Sequence, residues 1–427
     1  MDNRIEKLLD FINGSKSVYH AVDLLCKELE GAGYERIFEN QSWDVKPGGK
    51  YFLTRNNSSV VAFRIPTETP AGFMMSASHS DRPTFKVKEK GEFVGDYTRL
   101  GVESYGGMII SPWLDRPLSV AGRAMVETEH GLESKLVDID RDLLMIPNVA
   151  IHMNRKVNEG QSWNLAKDVQ PLMGSKESAG KMRWLLEEML GGRVLGHDLY
   201  LYVRHKATVW GMDEEFISGQ GLDDLQCAWG CLQGFLKAPE SRSIPLYCVF
   251  DSEEIGSGTM QGADSELLSA TISRICKCLG VDEDCLLSQS FMVSADNAHA
   301  VHPNHPELAD FANAPVMNGG VVLKFNASQR YITDGASASV FRKICYDAGV
   351  PVQTYYNRPD IPGGRTLGRI SLNHVSVPTV DVGLPQLAMH SCYETAGVQD
   401  SIYLETAMSA FYGTTLEKIG DQTYVLK

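Results

Sequence analysis

Ile244-Pro245-Leu246-Tyr247-Cys248-Val249-Phe250 runs directly into Asp251-Ser252-Glu253-Glu254-Ile255-Gly256-Ser257-Gly258. An apolar run of this length, bounded by turn-forming residues, predicts a buried strand. Two adjacent carboxylates at its end repel each other and resist desolvation, so Glu253 and Glu254 ask for a cationic partner. A solvated acidic turn is the ordinary explanation of a Glu-Glu pair. The balance moves toward a metal ion because other strand ends and helix starts in this chain also supply His or Asp.

Upstream, Gly72-Phe73-Met74-Met75-Ser76-Ala77-Ser78 reads as a second apolar strand and ends in His79-Ser80-Asp81. A carboxylate two residues from a ligating imidazole can orient it without touching the metal, the place Asp81 would take. Downstream, Ser290-Phe291-Met292-Val293-Ser294-Ala295 leads into Asp296 and then into a His-rich, Pro-containing segment with His299, His302 and His305. Asp296 is the candidate there, and the histidines are left open. Leu222-Asp223-Asp224-Leu225 opens a helix whose apolar face runs Leu225, Ala228, Trp229, Leu232, Phe235 and Leu236. Acids in a first turn suit capping and the helix dipole, yet one of the pair is free to face a cation. A last strand, Thr379–Gly383, is followed by a loop that reaches His390. Open α/β sheets gather ligands beyond the carboxyl ends of their strands. His79, Asp223, Glu253, Glu254, Asp296 and His390 therefore form one candidate site. Two imidazoles with three carboxylates suit zinc, manganese or cobalt, and the missing thiolates argue against a structural zinc site. One carboxylate beyond that shell is free to act as a base.

The rest of the chain frames this site. Apolar residues at helical spacing from 4 to 31, broken near Asn13-Gly14, predict two helices, and the runs 51–54 and 59–64 predict a hairpin. From about 86 to 219 the texture turns to short strand-like segments with frequent turns, as in a β-rich module. His152 falls there after an apolar run, and taken alone it reads as structural. At 427 residues two or three domains are expected, and the formal charge of -14 argues against nucleic-acid or anionic-membrane partners. The first residues lack a signal-peptide core, and no stretch reads as a membrane span. Nine cysteines without framework spacing fit a reducing, cytoplasmic setting.

Six motifs in order carry a resemblance: His79-Ser80-Asp81, Trp113-Leu114-Asp115-Arg116, Leu222–Leu225, Asp251–Ser257, Asp296–Asn304 and Pro385–Ser391. Together they resemble the aspartyl aminopeptidase and aminopeptidase I family of di-metal aminopeptidases, over nearly the whole chain. The resemblance implies an α/β, mixed-sheet catalytic domain (1–86 and 220–427) interrupted by a β-rich dimerisation domain (87–219). It implies two divalent ions, zinc first, with manganese or cobalt as alternatives. His79 and Asp296 would hold one, Glu254 and His390 the other, and Asp223 would bridge them. Glu253 would be the general base and Asp81 the carboxylate that orients His79. His152 would reach a neighbouring subunit's site to steady an oxyanion, within a homo-oligomer, a dodecamer built from dimers. Lys324 resembles a family lysine that meets an acidic N-terminal side chain. The expected activity is release of single N-terminal residues, acidic or neutral, from peptides. A related di-metal carboxypeptidase or deacylase, and a non-enzymatic shell protein, are the competing readings. The sequence departs from the pattern at Asn297, where relatives often carry Met, and along Asp360–Thr366, a region that differs among members.

Overall fold

The computed structural model describes residues 2–427 apart from Pro362 and Arg365. A nine-stranded mixed sheet organises the molecule, in the order Glu35–Arg36, Lys50–Arg55, Ser59–Arg64, Ile244–Phe250, Phe73–His79, Phe291–Ala295, Thr379–Gly383, Val321–Phe325, Val352–Tyr356. The four central strands, Ile244–Phe250, Phe73–His79, Phe291–Ala295 and Thr379–Gly383, are mutually parallel, with Phe250 beside His79 and Ala295 beside Val382. Their carboxyl ends therefore open on one side of the sheet.

These strands read as unbroken apolar runs because both faces are covered. Side chains alternate between two cores with the period of a strand. Met74, Tyr247, Val249, Phe291 and Val293 join the core under helices Asn3–Gly14, Val18–Gly31, Leu222–Lys237, Gly335–Asp347 and Val398–Gly413. Phe73, Met75, Leu246, Cys248 and Met292 join the opposite core under helix Leu267–Leu279. Helices Leu222–Lys237 and Val398–Gly413 approach closely because Gly234 sits at their crossing. A Cβ there would lie 2.5 Å from that of Met408.

The β-rich unit is an antiparallel six-stranded sheet, ordered Gly131–Asp138, Leu118–Thr128, Val194–Val203, Thr84–Val94, Tyr97–Tyr105, Leu172–Ser175. Its strands reach 11 residues in Thr84–Val94 and Leu118–Thr128, longer than the short segments expected. It has its own core around Phe85, Trp113, Val120 and Leu201. Thr208–Trp210 and Phe216–Gly219 do not join it. They pair with each other, and Phe216–Gly219 pairs with Glu394–Gly397, in a separate five-stranded sheet that also holds Pro385–Leu387 and Ala298–His299. That small sheet clamps the start of helix Leu222–Lys237 against the loop that carries His390. Among the described residues no helix is long and apolar enough to cross a membrane.

Candidate metal centre

The parallel strand ends bring their polar residues to one place. His79 closes its strand with its side chain 1% exposed. Its Nδ1 donates to the carbonyl of Asp81 at 3.0 Å and lies 3.4 Å from the Asp81 carboxylate. A carbonyl only accepts, so Nδ1 carries the proton and Nε2 is left to face Asp223 Oδ1 at 3.6 Å. Asp81 does more than orient this ring. Its carboxylate accepts the backbone N–H of Glu253 (3.1 Å) and of Glu254 (3.2 Å) and the hydroxyl of Tyr105 (2.8 Å). The strand end at 79 thus fixes the turn at 253–254.

Asp223 and Asp224, joined by a cis peptide, depart from first-turn geometry. Their φ/ψ pairs, -82/105 and -122/21, are not helical, although helix Leu222–Lys237 continues from them. The acidic pair therefore leaves the capping role and turns inward. Asp224 Oδ2 accepts the backbone N–H of His79 at 3.1 Å. Asp223 points one oxygen at each imidazole: Oδ1 toward His79 and Oδ2 toward His390 Nε2, also at 3.6 Å.

His390 comes from a loop rather than a strand. Its backbone lies in the left-handed region at φ 66, as does that of Ala388 at φ 56. Such conformations cost about 1–3 kcal/mol each and persist only where surroundings impose them. Here Nδ1 donates to the Gly107 carbonyl at 2.6 Å and the carbonyl of His390 accepts from Ile109 N–H at 3.0 Å. Nε2 is then left facing Asp223 and, at 3.4 Å, Glu254 Oε2.

Two groups of ligand atoms result, each with its atoms within 4.8 Å of one another. His79, Asp223, Asp224 and Asp296 form one; Asp223, Glu254 and His390 form the other. Asp223 belongs to both. Among the described residues, buried Asp223 Oδ1, Asp224 Oδ1 and Glu254 Oε1 have no hydrogen-bond partner. Orphaned carboxylate oxygens are costly unless something cationic meets them, so the donor set fits divalent ions. The electrostatics agree. Burial, with neighbouring carboxylates, pushes Glu253 up to about 8, and burial raises Glu254 and Asp224 well above the usual range. Burial also lifts Asp296 to about 6, against the pull of Lys324. Burial opposes the charged imidazole of His390, yet Asp223 raises it to about 9; in His79 the facing carboxylates of Asp223 and Asp81 likewise overcome burial. Asp223 alone, flanked by both imidazoles, is held below the usual carboxylate range against its burial; Glu253, Glu254 and Asp224 are raised because the cluster is short of positive charge.

His79, Asp223, Glu254, Asp296 and His390 line a cavity of about 520 Å³ with Glu253, Asn297, His299, Lys324, Arg330, Tyr331 and Met389. Glu253 belongs to neither ligand group. Lys324 lies fully buried, donating to the carbonyls of Asp296 (2.6 Å) and Asn297 (3.1 Å), so two of its three donors are taken. Arg330 was not singled out from sequence. It lines the same cavity and donates to the Gly363 carbonyl. His152 is exposed on a turn of the β-rich unit and does not line this cavity of its own chain. Asn297 is buried, its amide donating to Leu222 O, Gln226 Oε1 and Gln386 Oε1. Of the Asp360–Thr366 segment, Pro362 and Arg365 lie outside the described residues; Thr366 donates to Asp381 Oδ1 at 2.7 Å. Asp224 and Arg330 are the site residues that sequence reading missed. Only Asp224 had a signal, as the other half of the acidic pair.

A family model described as "Aminopeptidase I zinc metalloprotease (M18)" matches residues 11–412. The chain is 40% identical over 431 residues to a Clostridium novyi protein described as "Probable M18 family aminopeptidase 2", covering 96% of this chain and 100% of the relative. Among solved structures it is similar to a chain in the cryo-EM structure of the Ape4 and Nbr1 complex, with a TM-score of 0.93 and 35% identity. The match covers 96% of this chain and 85% of that one. The fold is also that of the S. cerevisiae mApe1 dodecamer structure, with a TM-score of 0.85 at 24% identity, covering 96% of each chain.

Proposed function

Because this chain belongs to the M18 family of zinc metalloaminopeptidases, its activity is aminopeptidase hydrolysis, and we propose that two ions share Asp223 in the cavity described above. The carrying observation is the placement of Asp223 in both ligand groups with Oδ1 unpartnered. His79 and Asp296 would complete one site, Glu254 and His390 the other. Asp224 is given a supporting place, since one of its oxygens already accepts the His79 N–H. The family description as a zinc metalloprotease supports zinc; manganese or cobalt would satisfy the same donors. When bound, the ions supply Lewis-acid polarisation of the scissile carbonyl and make water more acidic.

The chain's residues do the remainder. Glu253, free of the ligand groups and lining the cavity beside them, takes a proton from the attacking water and returns it to the leaving amine. Water oxygen bonds to the carbonyl carbon, the carbon–nitrogen bond breaks, and the amine leaves neutral. The acidic lining favours a free N-terminal ammonium, which limits cleavage to one residue at a time. Lys324 keeps one donor, and Arg330 adds a second cation on the same cavity. Both support acceptance of acidic as well as neutral N-terminal residues. The family does not support the carboxypeptidase, deacylase or shell-protein readings.

The assembly is proposed as a homo-oligomer, a dodecamer built from dimers; the similar mApe1 structure is described as a dodecamer. His152 would then steady the oxyanion in a neighbouring subunit. Its flanking residues support this: Ile151 is 48% and Met153 79% exposed, apolar surface that a partner would cover. A cytoplasmic setting fits the nine cysteines without framework spacing. The test is a panel of peptides with N-terminal Asp, Glu, Leu and Lys, free and N-acetylated, with wild type and Glu253→Gln. Release of single residues from the free peptides only, lost in the variant while metal stays bound, is expected. Turnover of the acetylated peptides would overturn the reading.

A further inference from the structure

Glu394 is buried, and its carboxylate has two partners among the described residues, both backbone N–H groups. Oε1 accepts from His390 at 2.7 Å and Oε2 from Asp223 at 3.0 Å. One residue is the ligand shared by both groups; the other is the loop ligand whose backbone stands at φ 66. Glu394 itself is anchored, because strand Glu394–Gly397 pairs with Phe216–Gly219 on one side and Pro385–Leu387 on the other. Among the described residues no other side chain ties the loop at 390 to the acidic turn at 223 in this way.

We propose that Glu394 is a positioning residue that sets the distance between the Asp223 carboxylate and His390 Nε2. It thereby assembles the second metal site, at Asp223, Glu254 and His390, while the first, at His79 and Asp296, is held by its strands. A carboxylate suits the task because both oxygens accept. An amide in its place would turn one N–H donor against another.

The inference rests on the two-ion reading, and its test separates the two. Wild type, Glu394→Gln and His390→Ala are stripped with chelator and titrated with Zn²⁺ against a chromophoric competitor. Melting of each stripped protein is recorded beside the titration. Wild type should take up two equivalents. Glu394→Gln should take the first with wild-type affinity and the second about 10–100-fold more weakly, the usual effect of removing an outer partner of a ligand. Its stripped form should melt somewhat below wild type, because the buried amide leaves one backbone donor unpaired, and excess zinc should restore kcat. Glu394→Asp, too short to reach both N–H groups, should show the same selective loss and covers the case in which the Gln variant misfolds. Equal affinity for both equivalents, equal loss of both, or a lowered melting temperature without selective loss would each overturn the role. A wild type that takes up one equivalent would overturn the two-ion reading instead.

Discussion

The two halves of the candidate centre are built by different means. The His79 half stands on parallel strand ends, its imidazole 1% exposed and its neighbours fixed by the sheet register. The His390 half stands on a loop in left-handed conformation, its imidazole 35% exposed and held through Gly107 and Glu394. Strand ends place ligands as a by-product of folding the sheet. A loop ligand has to be placed by dedicated hydrogen bonds, and it can face the cavity where substrate enters. The first half is rigid and sealed; the second is open and depends on its supports.

Asp223 is the point at which the halves join, so its loss should break both. Asp223→Ala is expected to lower kcat/KM by about 10³-fold or more, since ions supply several kcal/mol at about 1.4 kcal/mol per decade. Metal content measured by atomic emission should fall for both equivalents. If one equivalent survives at full affinity, the halves are independent.

Glu253→Gln separates chemistry from ligation. Activity should fall about 10²–10⁴-fold, the range for a lost general base. Zinc content and chelator resistance should stay at wild-type values, because Glu253 sits in neither group. Loss of zinc in this variant would move Glu253 into the shell.

In acidity the halves agree. Asp296 is raised to about 6 and Glu253 to about 8, and Glu254 lies well above the usual range, burial leading in each. A metal-free fold that holds these protons must release them when cations enter. Zinc affinity should therefore strengthen as pH rises from about 6 to 8 and weaken on acidification. Calorimetry in buffers of different ionisation enthalpy should show net proton release. Affinity that is flat with pH would mean that the acids are already charged.

The smallest effect on turnover is expected far from both halves. Gly234→Ala would press a methyl against Met408 and the Ser409 backbone, 2.5 and 2.8 Å away. Overpacking of this kind costs about 1–3 kcal/mol. Denaturant unfolding should show that loss, with kcat/KM at folded temperatures close to wild type.

The legible parts of the sequence were those with a local physical signature. Strands buried on both faces leave continuous apolar runs, so Ile244–Phe250 and Phe73–His79 were visible, and with them the polar residues at their ends. The pair at 223–224 showed as acids at a helix start. Which oxygens face the imidazoles depends on non-helical φ/ψ that no local pattern announces. Glu394 left no trace because its partners are backbone groups distant in the chain, and Gly107 contributes through a carbonyl that every residue has. The segment 208–219 has the texture of the β-rich unit but pairs with Glu394–Gly397, a partner close to the other end of the chain. Lys324 carries no local sign of its burial. Its burial follows from Val321–Phe325 lying inside the sheet beside Thr379–Gly383.

Anomalous diffraction at the zinc edge from crystals of the zinc-loaded protein tests the shared carboxylate most directly. Two peaks are predicted, both in contact with Asp223, one beside His79 and Asp296 and the other beside Glu254 and His390. A single peak, or two peaks that do not share Asp223, would contradict the account.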